Sequence, residues 1–286
     1  MMGTLIMSNS EPTSTSLPEQ IRIAEESIRR EPVTASHRWA LFQWLCVDQQ
    51  WKRALQQLQA YGQLAPDKKG VVQAYRDLVR AERWREETLT GKTPPGHVME
   101  AEPQWMSDVF AALEMAAAGQ IEAADATRER ALDQAPLVGG HSASGIAFEW
   151  VGDSDSRLGP ICEVMAAGGY RWLSLADIAQ WHVLPPAAPC DLVWGACELT
   201  LIDGTQLRGF MPARYPDCGD AKHDQRENLL MGRETIWRQE GQTGIIASGR
   251  KMWTTSAGDF DLFEMGECVL NHAPPNDKTD PQERTA

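Results

Sequence analysis

Proline punctuation sets the frame of this chain. Glu31-Pro32 and Ala65-Pro66 lie 34 residues apart, and Ala135-Pro136 lies a further 70, close to two more such periods. Between these marks the apolar residues recur at helical spacing. Ser16-Leu17-Pro18-Glu19 reads as an S-x-x-E capping box with proline in the first turn, and Ile21, Ala24 and Ile28 continue that helix. A second helix follows Pro32, with Ala40, Leu41, Trp44 and Leu45 on one face. A third carries Trp51, Ala54, Leu55 and Leu58 at i, i+3, i+4 and i+7, with Gly62 expected to end it, and a fourth carries Val71, Tyr75, Leu78 and Val79. The apolar positions keep the same phase, because Leu55 sits 34 residues after Ile21 and Leu58 sits 34 after Ala24.

Thirty-four residues is the length of a tetratricopeptide unit, two antiparallel helices that bury their faces only against neighbouring pairs. A further pair is expected after the proline-rich break from Gly91 to Pro103. One helix holds Trp105, Val109 and Leu113 with Gly119 as its stop, and the next holds Ile121, Ala124 and Ala131. Near residue 138 the texture changes. Gly139-Gly140-His141-Ser142 reads as a hinge, Ile146 to Val151 as a strand, and Arg157 to Ala167 as a helix ended by Gly168-Gly169. Leu192 to Ile202 and Thr205 to Met211 flank Asp203-Gly204, a strong hairpin signal, although their faces do not separate into polar and apolar. Lys251 to Thr255 and Phe260 to Met265 read as a second hairpin. The expected fold is therefore α+β, a tetratricopeptide-like helical module followed by a smaller mixed domain with antiparallel β-hairpins. Its expected bounds are a disordered lead over 1–16, helices over 17–138, the mixed domain over 145–271 and a disordered tail over 272–286.

Charge narrows the function classes. There are 40 Asp and Glu against 27 Lys and Arg, for a net −13, with 15 basic against 19 acidic residues up to residue 140 and 12 against 21 after it. Neither half offers the cationic surface that nucleic acid or an anionic membrane needs. No apolar run is long enough to span a bilayer, and MMGTLIMSNS lacks the basic start and apolar length of a secretory signal. Six scattered cysteines without a C-x-x-C suit free thiols in a reducing compartment, so a cytoplasmic protein is expected.

The catalytic signatures are missing. The sequence has no phosphate-cradling G-x-x-x-x-G-K, no G-x-G-x-x-G after a strand, no H-E-x-x-H and no G-x-S-x-G. The six histidines are dispersed, none three to five residues from another. Asp153-Ser154-Asp155-Ser156-Arg157 is the most suggestive polar cluster: two carboxylates could hold a divalent cation, but capping of a following helix is favoured. The enzyme alternative is thus a metal site built from Asp153, Asp155 and His182 or His223. Eleven tryptophans outnumber four tyrosines, and each is expected in the core ahead of a partner-binding groove.

Several segments together resemble one family. Phe148-Glu149-Trp150, Asp153-Ser154-Asp155-Ser156-Arg157-Leu158-Gly159-Pro160, Gly169-Tyr170-Arg171-Trp172, Asp191-Leu192-Val193-Trp194 and Gly209-Phe210-Met211-Pro212-Ala213-Arg214-Tyr215-Pro216 look like the C-terminal half of the ImpE family, also called TagJ or SciE-type. Upstream, Leu45-Cys46, Trp51-Lys52-Arg53-Ala54-Leu55 and Ala74-Tyr75-Arg76 are similar to its N-terminal half, so the resemblance spans about residues 17–270. It implies a cytoplasmic, non-enzymatic accessory protein of type VI secretion with no cofactor, which binds the N-terminal helix of the small contractile-sheath subunit, TssB. It also implies an association with the ClpV ATPase that recycles sheath. The family motif residues Trp150, Asp155, Arg157, Gly159, Pro160, Trp194, Arg214 and Tyr215 are expected to be scaffold, with Asp155 and Arg157 as a local pair. Trp39, Phe42 and Tyr75 are the expected contacts for a partner helix, whose apolar face would lie in a groove between helix pairs, with an exposed sheet face of the second domain and the junction between the two as open alternatives. A general tetratricopeptide scaffold or chaperone outside secretion is the remaining alternative.

Overall fold

The computed structural model describes residues 15–216 and 223–271. Residues 1–14 of the expected lead over 1–16, and the expected tail over 272–286, lie outside the described residues. Six helices come first: α1 Leu17–Arg30, α2 Ala35–Val47, α3 Trp51–Leu64, α4 Lys69–Leu89, α5 Gln104–Ala117 and α6 Ile121–Gln134. The starts of α1 and α3 are 34 residues apart, and so are those of α2 and α4. Ser16 caps α1, its hydroxyl accepting the Glu19 amide at 3.4 Å, while the Glu19 side chain turns to the Arg22 guanidinium at 2.7 Å. Gly119, at φ +75°, closes α5 as expected. Gly62 does not end α3, which runs two residues further. A Cβ there would lie 3.2 Å from the Val72 side chain, so this glycine lets α3 and α4 approach.

The remaining elements are β1 Gly96–His97, β2 Gly139–Ser142, β3 Ala147–Phe148, β4 Val151–Asp153, β5 Ile161–Ala166, β6 Gly169–Ser174, β7 Ile178–Val183, β8 Trp194–Leu201, β9 Gln206–Pro212 and β10 Arg214–Tyr215. After them come helix α7 His223–Leu230 and strands β11 Thr235–Glu240, β12 Gly244–Arg250, β13 Met252–Thr255, β14 Gly258–Asp261 and β15 Glu267–Asn271. Nine strands form one sheet in the order β1-β6-β5-β9-β8-β7-β15-β2-β3, and two three-stranded sheets, β10-β12-β11 and β14-β13-β4, complete the fold. Among the described residues all pairings are antiparallel except β1 with β6, a strand that the helical half lends to the sheet. The chain is α+β, a helical module followed by a sheet-rich region.

Three local expectations are corrected. Residues 157–167 form no helix: Ile161–Ala166 is a strand with all six residues buried. A strand covered on both faces shows no alternation, and an apolar run of that length cannot be told from a helix by period. Ala167 and Gly168, both at positive φ, make the two-residue turn into β6. The presumed hinge at 139–142 is strand β2, lying between β15 and β3. A Cβ on Gly140 would come within 2.5 Å of the Val269 carbonyl oxygen, so glycine serves close backbone approach here rather than a bend. The strand expected over 146–151 is broken into β3 and β4, which belong to different sheets.

The Asp203-Gly204 hairpin joins β8 and β9, with Gly204 at φ +83°. Its faces do separate in the structure: Cys197, Leu199 and Leu201 are buried while Glu198 is exposed. The second hairpin also forms, as β13 and β14 around Ser256-Ala257. One apolar core runs from α1, α2 and α4 into the sheet region, joining Phe42, Leu45 and Val79 to Ile161, Tyr170, Trp172 and Trp194. A second fills the far side of the large sheet around Trp181 and Trp253, whose rings stack 5.3 Å apart. No helix among the described residues is long and apolar enough to cross a membrane.

Candidate functional site

The 21 residues of α4 carry two charges on the face that meets the sheet, Glu82 and Arg85. Arg85 donates through Nε and Nη2 to the two oxygens of Glu163 on β5, at 2.7 and 2.9 Å, and through Nη1 to Glu82 and the Arg214 carbonyl oxygen. Lys251 donates to Glu163 at 2.7 Å and also to Asp153. The Tyr170 hydroxyl donates to Glu163, and the Tyr215 hydroxyl to Asp153 at 2.6 Å. Glu82 accepts the Trp194 indole N–H at 2.9 Å. Burial alone would push the Glu163 carboxyl up, but the Arg85 and Lys251 charges hold it well below the usual carboxylate range. Burial wins at Asp153, raising its carboxyl despite Lys251.

Asp155, Arg157, Gly159, Pro160, Trp194, Arg214 and Tyr215 lie around this centre. Asp155 receives the Arg157 Nε at 2.9 and 3.0 Å, the Arg157 amide and the Ala247 amide, which makes the expected local pair. No helix follows Asp153-Ser154-Asp155, so the anticipated helix cap is absent and the carboxylates hold cations and turn amides instead. Gly159 takes φ +56°, and its carbonyl oxygen accepts the Asp153 amide ahead of Pro160. Arg214 donates to the carbonyl oxygens of Cys46 and Val47 at the end of α2 and of Leu230 at the end of α7, a cation set on two helix C-termini. Tyr215 and Trp194 are buried, but Trp150 is 37% exposed and lies outside this set. The cluster contains four buried cations, Arg85, Arg157, Arg214 and Lys251, against four buried acids, Glu82, Asp153, Asp155 and Glu163. Each charge has a close opposite charge or a set of carbonyl acceptors, so the cluster fixes the helices on the sheet.

Trp39, Phe42 and Tyr75 are brought together. Trp39 lies 5.2 Å from Phe42 and 4.9 Å from Tyr75, and Tyr75 reaches Trp194 at 6.5 Å. Phe42 has no exposed surface, which removes it as a direct contact in this conformation, while Trp39 and Tyr75 are half-buried. Asp153 and Asp155 are committed to Lys251 and Arg157. His182 stands exposed on β7 opposite Glu198 and Glu267, and the His223 side chain lies outside the described residues.

The sequence reading missed Arg85, Glu163 and Lys251. No spacing joins residues 78 and 88 positions apart, but one signal was present. A glutamate inside Ile161-Cys162-Glu163-Val164-Met165 must find a cation if that run is buried.

Beside the charged cluster a cleft of about 420 Å³ opens between the ends of α4 and α5, the middle of α6 and the β11–β12 hairpin. Leu89, Leu113, Ala116 and Ile246 give it an apolar floor, and Glu86, Glu240, Arg128, Arg157 and Arg238 add charge at its walls, the three arginines being paired with Asp125, Asp155 and Glu240. The hairpin is clamped by α6: Asp125 accepts the Gln242 and Thr243 amides at 2.7 and 3.0 Å. Glu86 accepts the Trp51 indole N–H at 3.1 Å and has no ion-pair partner among the described residues. Burial and the neighbouring Glu82 charge raise its carboxyl. An apolar cleft with one underpaired carboxylate suits a side chain that is apolar along its length and cationic at its tip.

Residues 145–269 match the model of the ImpE protein family. Over 252 residues the chain is 35% identical to the type VI secretion system accessory component TagJ of Pseudomonas aeruginosa, covering 88% of this chain and 86% of that protein. The crystal structure of a Vibrio parahaemolyticus protein superposes with a TM-score of 0.80, covering 90% of this chain and 94% of that one. At 21% identity it shows a shared fold.

Proposed function

The chain belongs to the ImpE family of type VI secretion accessory components, and from that premise we propose that it is a non-enzymatic adaptor whose junction cleft seats a helix of the small sheath subunit, TssB. The observation that carries the proposal is the apolar floor of that cleft beside Glu86. An amphipathic helix binds by placing anchors at i, i+3, i+4 and i+7 into such a groove, and a few large side chains supply most of the affinity. A lysine or arginine on the same helix face would pair with Glu86, which selects a basic or neutral helix. The buried charge cluster keeps the walls of the cleft, α4 and the β11–β12 hairpin, in fixed relation, so little ordering is spent on binding. Holding sheath subunits in this way would assist the ClpV-linked recycling of sheath, and the cytoplasm is the compartment this role requires. Half-buried Trp39 and Tyr75 remain candidate contacts at the rim of the helical module.

The test is calorimetric titration of the full chain with a peptide of the TssB N-terminal helix. Saturable binding in the micromolar range is expected, and no heat at tens of micromolar would overturn the reading.

A further inference from the structure

A second cleft, of about 600 Å³, lies at the start of α3 and is lined by Gln50, Trp51, Lys52, Arg53, Leu55 and Arg83 among others. Its charge runs against the chain as a whole. Residues 52–92 contain nine basic and five acidic residues, in a protein of net charge −13. Lys52 and Arg83 are exposed and make no ion pair among the described residues, while Arg53 shares Glu25 of α1. Of the acids nearby, Asp48 already receives Arg226 at 3.1 Å and the side-chain amide of Gln50, while Glu86 accepts the Trp51 indole N–H without an ion pair among the described residues. The Trp51 ring, held from behind by Trp194 at 6.0 Å, forms a rigid apolar floor with Leu55. The Gln50 side chain does not cap α3, so the positive end of that helix adds to the field.

We propose that this cleft docks a short acidic segment of a partner protein, one in which aspartates or glutamates flank a single aliphatic or aromatic anchor. Two cations that make no ion pair among the described residues share a lining with an aromatic floor and match that pattern, with the anchor on Trp51 and Leu55 and the carboxylates on Lys52 and Arg83. Nucleic acid fits less well, since two or three cations neutralise few phosphates and the remaining surface repels a polyanion. The site stands apart from the TssB reading. Lys52 and Arg83 do not line the junction cleft, although Trp51 and Glu86 form a wall between the two.

The experiment is fluorescence anisotropy of the full chain with a labelled glutamate-rich peptide carrying one central leucine. Saturable binding is expected, and it should weaken about tenfold in the double variant Lys52→Glu, Arg83→Glu and severalfold when salt rises from about 50 to 300 mM. Arg208→Glu, on the exposed end of β9, should change nothing, and the TssB peptide should bind the double variant as it binds the unmodified protein. Both substituted side chains are exposed, and an unchanged melting temperature will show that the fold persists. The proposal is overturned by absence of saturable binding, by equal binding of the peptide with glutamine for glutamate, or by indifference to the double reversal. It is equally overturned if single-stranded oligonucleotide competes more strongly than the acidic peptide.

Discussion

The guanidinium of Arg85 on α4 and the carboxylate of Glu163 on β5 meet in a two-pronged pair, 2.7 and 2.9 Å long, with neither side chain exposed. The pair joins the helical half to the sheet half at the centre of a shared apolar core. Removing one partner leaves the other underpaired in a low dielectric, Glu163 keeping Lys251 and Arg85 keeping Glu82. Arg85→Met and Glu163→Gln should each lower unfolding free energy by about 3–5 kcal/mol. The double variant should lose less than the two singles together, because the two charges that face each other leave together. Urea unfolding of the four proteins measures this coupling, and additive losses would sink the account.

Asp125 ties α6 to the β11–β12 hairpin. The Gln242 amide first, then the Thr243 amide and hydroxyl, hold its carboxyl at about 2, below the ordinary 3.8. A carboxyl depressed in the folded state contributes stability that is present above its unfolded value and lost as pH falls through the folded one. Thermal melts of the unmodified protein should therefore fall between about pH 4 and pH 2 more steeply than those of Asp125→Asn. In that variant the Gln242 and Thr243 amides should exchange with solvent faster at neutral pH, which deuterium exchange reads directly.

Strands β5 and β9 are joined in register only at Met165 and Phe210. The neighbouring Gly209 sits so close that a Cβ there would lie 2.6 Å from the Met165 carbonyl oxygen, a backbone atom with no side-chain freedom to yield. Gly209→Ala should cost about 1–3 kcal/mol, as overpacking does elsewhere, whereas Gly119→Ala meets nothing within 4 Å and strains only the turn. Denaturant midpoints of the two variants separate a sheet contact from a loop conformation.

What could be read in advance follows from the range of each signal. The start of α1 was legible because its cap lies within one turn, Ser16 to Glu19. The 34-residue phase of the helices was legible because proline marks it. Strand β5 was misread because both of its faces are covered and no period survives. The charged cluster was invisible for a different reason: Arg85, Glu163 and Lys251 belong to three elements, and nothing local encodes which distant group answers a buried charge. The same holds for the junction cleft, whose floor is assembled from α4, α5 and β12.

That cleft can be closed without disturbing the core. Ala117 lies in the last turn of α5, exposed to solvent and on the lining of the cleft. A tryptophan there would fill the space that an incoming apolar anchor needs, so Ala117→Trp should weaken the TssB peptide about tenfold or more. Surface changes of this kind shift stability by roughly 0.5 kcal/mol, so the melting temperature should hardly move. Glu86→Gln tests the charge of the same site. Its loss should weaken a lysine-bearing peptide and leave a peptide with that lysine replaced by methionine unaffected. If Ala117→Trp binds the peptide as well as the unmodified protein does, the helix docks elsewhere, and the half-buried edges of Trp39 and Tyr75 become the surface to substitute next.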